Sequence, residues 1–145
     1  MNPTLIFDQV ALGDALPELP LELTPTVIVS TALATRDFQD VHHDRDLAQQ
    51  RGSKDIFMNI LSSTGLVERF VTDWAGPEAI VRRINIRLGA PNHPYDTMVL
   101  RGHVSAVEAG TGGGDVEVEL VGSNSMGNHV VGTVRVFLPG KDAGR

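Results

Sequence analysis

The apolar positions of the chain change period once, and that change sets the fold expectation. From Ile56 to Trp74, the residues Ile56, Ile60, Val67, Phe70, Val71 and Trp74 recur at helical spacing, and Gly76-Pro77 stops the run. At 1.5 Å rise per residue this predicts a helix roughly 28 Å long, with Ile56, Ile60, Val67 and Phe70 inward and Glu68 outward. Beyond it the period becomes two. Ile84 to Leu88, Thr97 to Val107, Val116 to Val121 and His129 to Leu138 read as four strands. Turn clusters at Pro91 to Pro94, Gly110 to Gly114 and Asn124 to Asn128 separate them. The glycines at 112–114 read as a hairpin tip, because no helix follows to make a phosphate loop. The pattern is α+β, one long helix followed by an antiparallel meander that wraps around it.

Upstream the pattern is less regular. Residues 1–25 are rich in Pro and acids and read as an extended arm, whose leucines are expected to lie on a neighbour. Thr26-Val-Ile-Val-Ser-Thr31 is a β-branched run and predicts a strand. Asp44 to Gln50 reads as a short helix with Asp44 as its cap and Gly52 as its stop. The expected organisation is one domain over 26–139, with the arm before it and a tail, 140–145, after it.

Composition narrows the class. A chain of 145 residues with 41% hydrophobic content suits a single core. No apolar run approaches the roughly 20 residues needed to span a bilayer, and the first residues lack the basic start of a signal peptide. With no Cys there is neither a disulfide framework nor a thiolate site, which agrees with a cytoplasmic location. A formal charge of -6 argues against nucleic acid as the main partner.

Candidate chemistry concentrates in Thr35-Arg-Asp-Phe-Gln-Asp-Val-His-His-Asp-Arg-Asp-Leu-Ala48. On a continuous helix Asp37 and His42 would diverge by about 140°, so they can share a substrate only across a loop. A carboxylate beside an imidazole is a candidate acid/base pair able to hold and activate one water. The bland alternative is an Asx turn with a solvated histidine. His43 and Asp44 invite a metal reading, but neighbouring residues rarely aim at one ion, so no metal is expected. His43 reads as a surface residue. Lys54, Arg82, Arg83 and Arg87 are candidate phosphate contacts or simply solvated cations. His93, His103, His129, Asn124 and Gly127 read as structural.

The run Asp37, one spacer, Gln39, Asp40, Val41, His42, five spacers, Ala48 resembles the signature of the MaoC-like, R-specific enoyl-CoA hydratases. That family usually has Gly before the Asp, Asn two residues after it, then Pro; here Arg36, Gln39 and Asp40 stand instead. Together with Gly52-Ser-Lys-Asp-Ile-Phe-Met-Asn-Ile-Leu61, and over about Thr26 to Leu138, the chain most resembles the small hydratase subunits of actinobacterial steroid side-chain degradation. The resemblance implies a hotdog fold and reversible hydration of a 2,3-enoyl-CoA, here a steroid-derived one, by Asp37 and His42. It implies no cofactor beyond the CoA of the substrate. It also implies a heteromer with a larger MaoC-like chain, two of each.

Among the substrate-binding positions it marks, Gly52, Phe57, Met58 and Asn59, the family usually has Ala at 57, His at 58 and Gly at 59. The backbone amide of Asn59 would serve as donor to the thioester oxygen. Phe57 and Met58 read either as an altered acyl pocket or as core. Two rival readings remain: a hotdog thioesterase, told apart by release of free CoA, and a non-catalytic partner subunit.

Overall fold

The computed structural model describes residues 3–141. Five strands form one antiparallel sheet: β1 (Leu19–Leu23), β2 (Ile80–Leu88), β3 (Asp96–Gly110), β4 (Gly113–Asn124) and β5 (Gly127–Pro139). Their spatial order is β1-β3-β4-β5-β2, so β3, β4 and β5 make a central meander, with β1 and β2 as its edges. The predicted strands are present and longer than expected, and Gly110 pairs with Gly113 at a hairpin tip. Of the C-terminal tail, residues 142–145 lie outside the described residues.

Three helices, α1 (Pro25–Ala34), α2 (Arg45–Gln50) and α3 (Ile60–Ala75), precede β2. Helix α3 lays Val67, Phe70, Val71 and Ala75 on the sheet, where they join Leu100, Val104, Val118, Leu120 and Val134 in one core. Gly102 lets the helix come close: a Cβ there would meet Phe70 Cε1 at 3.0 Å and the Glu119 carbonyl oxygen at 2.9 Å. The helix ends at Gly76, whose φ of 93° and contact with the Thr4 backbone both require glycine.

Three expectations need correction. Residues 26–31 are helical, not a strand. Thr24 caps α1 by accepting from Val27 N at 3.1 Å, with Pro25 in its first turn. That start signal outweighs the β-branched propensity, and Ile28 and Ala32 supply the buried face. Second, α3 begins at Ile60 rather than Ile56. Ile56 is buried in the extended segment before it, whereas Ile60, at the first helical position, is 54% exposed. Third, Leu16 and Leu23 of the N-terminal arm are buried in the core of their own chain. The arm runs beside β3, bonding Leu16 N to Gly102 O at 3.0 Å, and β1 extends the sheet.

The corrected phase of α3 makes a test. Val67→Asp places an unpaired carboxylate in the core, a penalty of several kcal/mol against a total stability of about 5–15, and should abolish soluble protein. Ile60→Asp should leave the circular dichroism spectrum unchanged. Loss of secondary structure in Ile60→Asp would contradict the assigned face.

Candidate active site

Asp37 owes its position to the way α1 ends. Arg36 N bonds Leu33 O at 3.0 Å and Asp37 N bonds Ala32 O at 3.0 Å, the paired bonds of a Schellman motif with Arg36 in the left-handed position at φ 56°. A side chain there is held at a cost of about 1–2 kcal/mol. Helix α2 ends with the same motif, but with Gly52 in that position at φ 90°. Glycine adopts that positive φ without the cost a side chain brings.

Past Asp37, the loop makes a single 3-10 turn over Asp40–His42 and enters α2 under the Asp44 cap, which accepts from Leu47 N at 3.0 Å. Two ion pairs tie this loop and the next together: Asp40 to Arg51 at 2.8 Å and Arg45 to Asp55 at 2.9 Å. His42 is thereby buried, at 5% exposure, whereas its neighbour His43 is exposed.

The geometry of the pair is specific. His42 Nδ1 lies 2.7 Å from the Phe57 carbonyl oxygen. A carbonyl only accepts, so Nδ1 carries the proton and Nε2 of the neutral ring presents a lone pair. Nε2 stands 3.3 Å from Asp37 Oδ2. Two acceptors that face each other so closely call for a donor: a proton between them, or a molecule beside them with two O–H bonds. Asp37 also closes an Asx turn by accepting from Gln39 N at 3.2 Å. The turn of the bland reading is therefore present, but its solvated histidine is not.

Asn59 completes the group. It caps α3, with Oδ1 accepting from Ser62 N at 2.9 Å and from the Ser62 hydroxyl. Its Nδ2 donates to Asp37 Oδ2 at 3.0 Å and to Thr35 Oγ1 at 2.9 Å. The bond from Asn59, then that from the Gln39 amide, and to a smaller degree His42, hold the Asp37 carboxyl below the usual carboxylate range. The backbone amide of Asn59 has no acceptor among the described residues.

A buried polar frame holds residues 56–59 in place. Met58 N bonds Asn92 O at 3.0 Å, His93 Nδ1 bonds Ile56 O at 2.9 Å, and Asn124 Nδ2 bonds Asn92 Oδ1 at 2.9 Å. The Phe57 ring meets His42 and His93 edge-on, at 5.0 and 6.3 Å between centroids. Met58 is buried beside Asn92 and belongs to the core. His129 on β5 reaches Ala90 O through Nδ1 at 2.7 Å and Ser63 of α3 through Nε2 at 2.8 Å. Lys54, Arg82, Arg83 and Arg87 are exposed, the three arginines along the β2 edge, with Arg82 over the Phe137 ring at 5.3 Å. His103 is exposed on the sheet. Gly127 turns the hairpin into β5 at φ 129°.

The sequence reading missed the Asn59 side chain and the Asn92/His93 frame. For Asn59 a signal existed, an Asn directly before an apolar-periodic run, which marks a helix cap. For the frame none did.

The fold is that of the hotdog proteins: R-hydratase PhaJ1 of Pseudomonas aeruginosa superposes with a TM-score of 0.84 over 95% of this chain and 88% of its own, at 17% identity. No protein-family model matches. The 3-oxo-4,17-pregnadiene-20-carboxyl-CoA hydratase beta subunit of Mycobacterium tuberculosis is 58% identical over 127 residues, 88% of this chain and 95% of that one. A chain of the ChsH1-ChsH2 complex from the same organism superposes with a TM-score of 0.84 at 56% identity, over 88% of this chain and 98% of its own. The chain belongs to the MaoC-like enoyl-CoA hydratase family.

Burial pushes the His129 imidazole down, against the pull of its bond to Ala90. Its neutral form therefore stabilises the fold fully above the unfolded value of about 6.5, and this contribution is lost as the pH falls below it. Denaturant titrations at pH 7.5 and 5.5 should show a smaller loss of stability in His129→Gln than in the wild type. Equal losses would contradict the assignment.

Proposed function

We propose that Asp37 and His42 are the acid/base pair for reversible addition of water across the 2,3 double bond of an acyl-CoA. The observation that carries the reading is the facing of two acceptors, Asp37 Oδ2 and His42 Nε2, at 3.3 Å. A water seated beside both atoms donates one hydrogen to each, which leaves an oxygen lone pair free for C3 of the enoyl group. As the C3–O bond forms and the C2–C3 π bond breaks, the water loses one proton to the pair and C2 gains one from it. The negative charge that develops on the thioester oxygen is met by the Asn59 amide, without an acceptor among the described residues, at the start of α3, where the helix dipole also favours it.

The substrate we infer is a steroid-derived enoyl-CoA with a shortened side chain, supported by the name of the 58% identical relative. The working form we infer is a heteromer with a larger MaoC-like chain, two of each. Its support is the complex in which the 56% identical chain is found, and an exposed apolar fringe beside the pair: Leu33, Phe38, Leu47, Ile60 and Leu61. The open edges β1 and β2 offer further pairing surface.

One assay series tests these points. Asp37→Asn and His42→Gln should each lower hydration of a steroid side-chain enoyl-CoA by about 10²–10⁴-fold with an unchanged circular dichroism spectrum. No free CoA should be released. The wild-type chain should reach full turnover only when co-expressed with its larger partner, as a species well above 15.6 kDa by light scattering. Wild-type turnover in either variant refutes the pair, steady CoA release indicates a thioesterase, and a fully active 15.6 kDa monomer refutes the heteromer.

A further inference from the structure

We propose that the Asn59 side chain is a positioning residue that locks the Asp37 carboxylate in its ionised, water-facing orientation through a one-way hydrogen-bond chain from the cap of α3. The proposal rests on the acid/base reading of Asp37 and His42 and adds to it the device that prepares Asp37.

The direction of every bond in the chain is fixed. Asn59 Oδ1 faces Ser62 N at 2.9 Å, and a backbone N–H can only donate. The amide is therefore oriented with Nδ2 toward the loop. A flipped amide would set NH2 against that N–H and its oxygen against the carboxylate, a clash at each end. The Thr35 hydroxyl donates to Ala32 O at 2.8 Å, so toward Asn59 Nδ2 it can only accept, at 2.9 Å. The remaining Nδ2 hydrogen has Asp37 Oδ2 as its acceptor, at 3.0 Å. Oδ2 is also the oxygen that faces His42. The donor thus grips the working oxygen and favours its charged state, while Gln39 N holds Oδ1.

The surroundings make the lock stiff. Asn59 is 2% exposed, and the segment before it is pinned through Met58 and Asn92. Movement of the α3 start would move the donor, so the helix that fills the core also sets the basicity of the loop carboxylate 22 residues upstream.

Asn59→Ser separates capping from the lock, because Ser caps a helix about as well as Asn but carries no amide to reach Asp37. Asn59→Asp keeps a cap acceptor and replaces the donor with a second carboxylate. The ¹³C-detected titration of the Asp37 carboxyl, measured on the wild-type and variant assemblies, should move up by about one pH unit in Asn59→Ser and further in Asn59→Asp. The acid limb of the kcat/KM profile should move up with it, and kcat near neutrality should fall about 10- to 100-fold with little change in KM or in melting temperature. An Asn59→Ser assembly with the wild-type Asp37 titration and acid limb overturns the proposal. That outcome is distinct from failure of the catalytic reading, in which Asp37→Asn itself remains active.

Discussion

The hydrogen bond from His42 Nδ1 to the Phe57 carbonyl is the contact on which the rest of the site depends. At 2.7 Å it fixes which ring nitrogen holds the proton, and with it the character of the face turned to Asp37. Without it the ring could donate to Asp37 directly, leaving Nε2 with no lone pair to accept from a third group. A main-chain carbonyl is a durable anchor for this purpose, because its position is set by the backbone and not by a rotamer. The buried frame of Asn92, His93 and Asn124 holds that backbone in turn. A buried polar network is justified when its members are satisfied, and here each bond ends on the segment that carries Phe57 or on the loop beside it.

The fold supplies two rigid references for a site made of loops. One is the Schellman end of α1, which places Asp37; the other is the capped start of α3, which places Asn59. Because α3 is seated on the sheet through Val67, Phe70 and Val71, the cap is as fixed as the core itself. The His129 bridge from β5 to Ser63 and Ala90 ties the same helix turn to the sheet and to the loop between β2 and β3. Catalytic geometry is sensitive to displacements of an ångström, and this construction keeps the relevant atoms on well-packed elements.

Much of this was readable along the chain, and the failures have physical causes. The period-two segments gave the meander because each strand buries only one face. The α2 cap and stop, Asp44 and Gly52, were legible because such turns demand particular residues. Residues 26–31 misled because β-branched propensity is weak beside a Thr-Pro helix start and a buried face. Ile60 misled because α3 starts there, capped by Asn59, so Ile56 before the helix and the helical Ile60 do not share one phase. Asp37 and His42 were marked by residue type and spacing. Their relation to Asn59, Phe57 and Asn92 arises from separations of tens of residues that no local pattern encodes.

The central claim is that neutral His42 is protonated on Nδ1 and presents a bare Nε2 to Asp37. Imidazole ¹⁵N chemical shifts, recorded at about pH 8, above the ordinary histidine range, read this directly. The account predicts a pyrrole-type shift for His42 Nδ1, coupled to its own proton, and a pyridine-type shift for Nε2. A protonated Nε2 with a pyridine-type Nδ1 would contradict it.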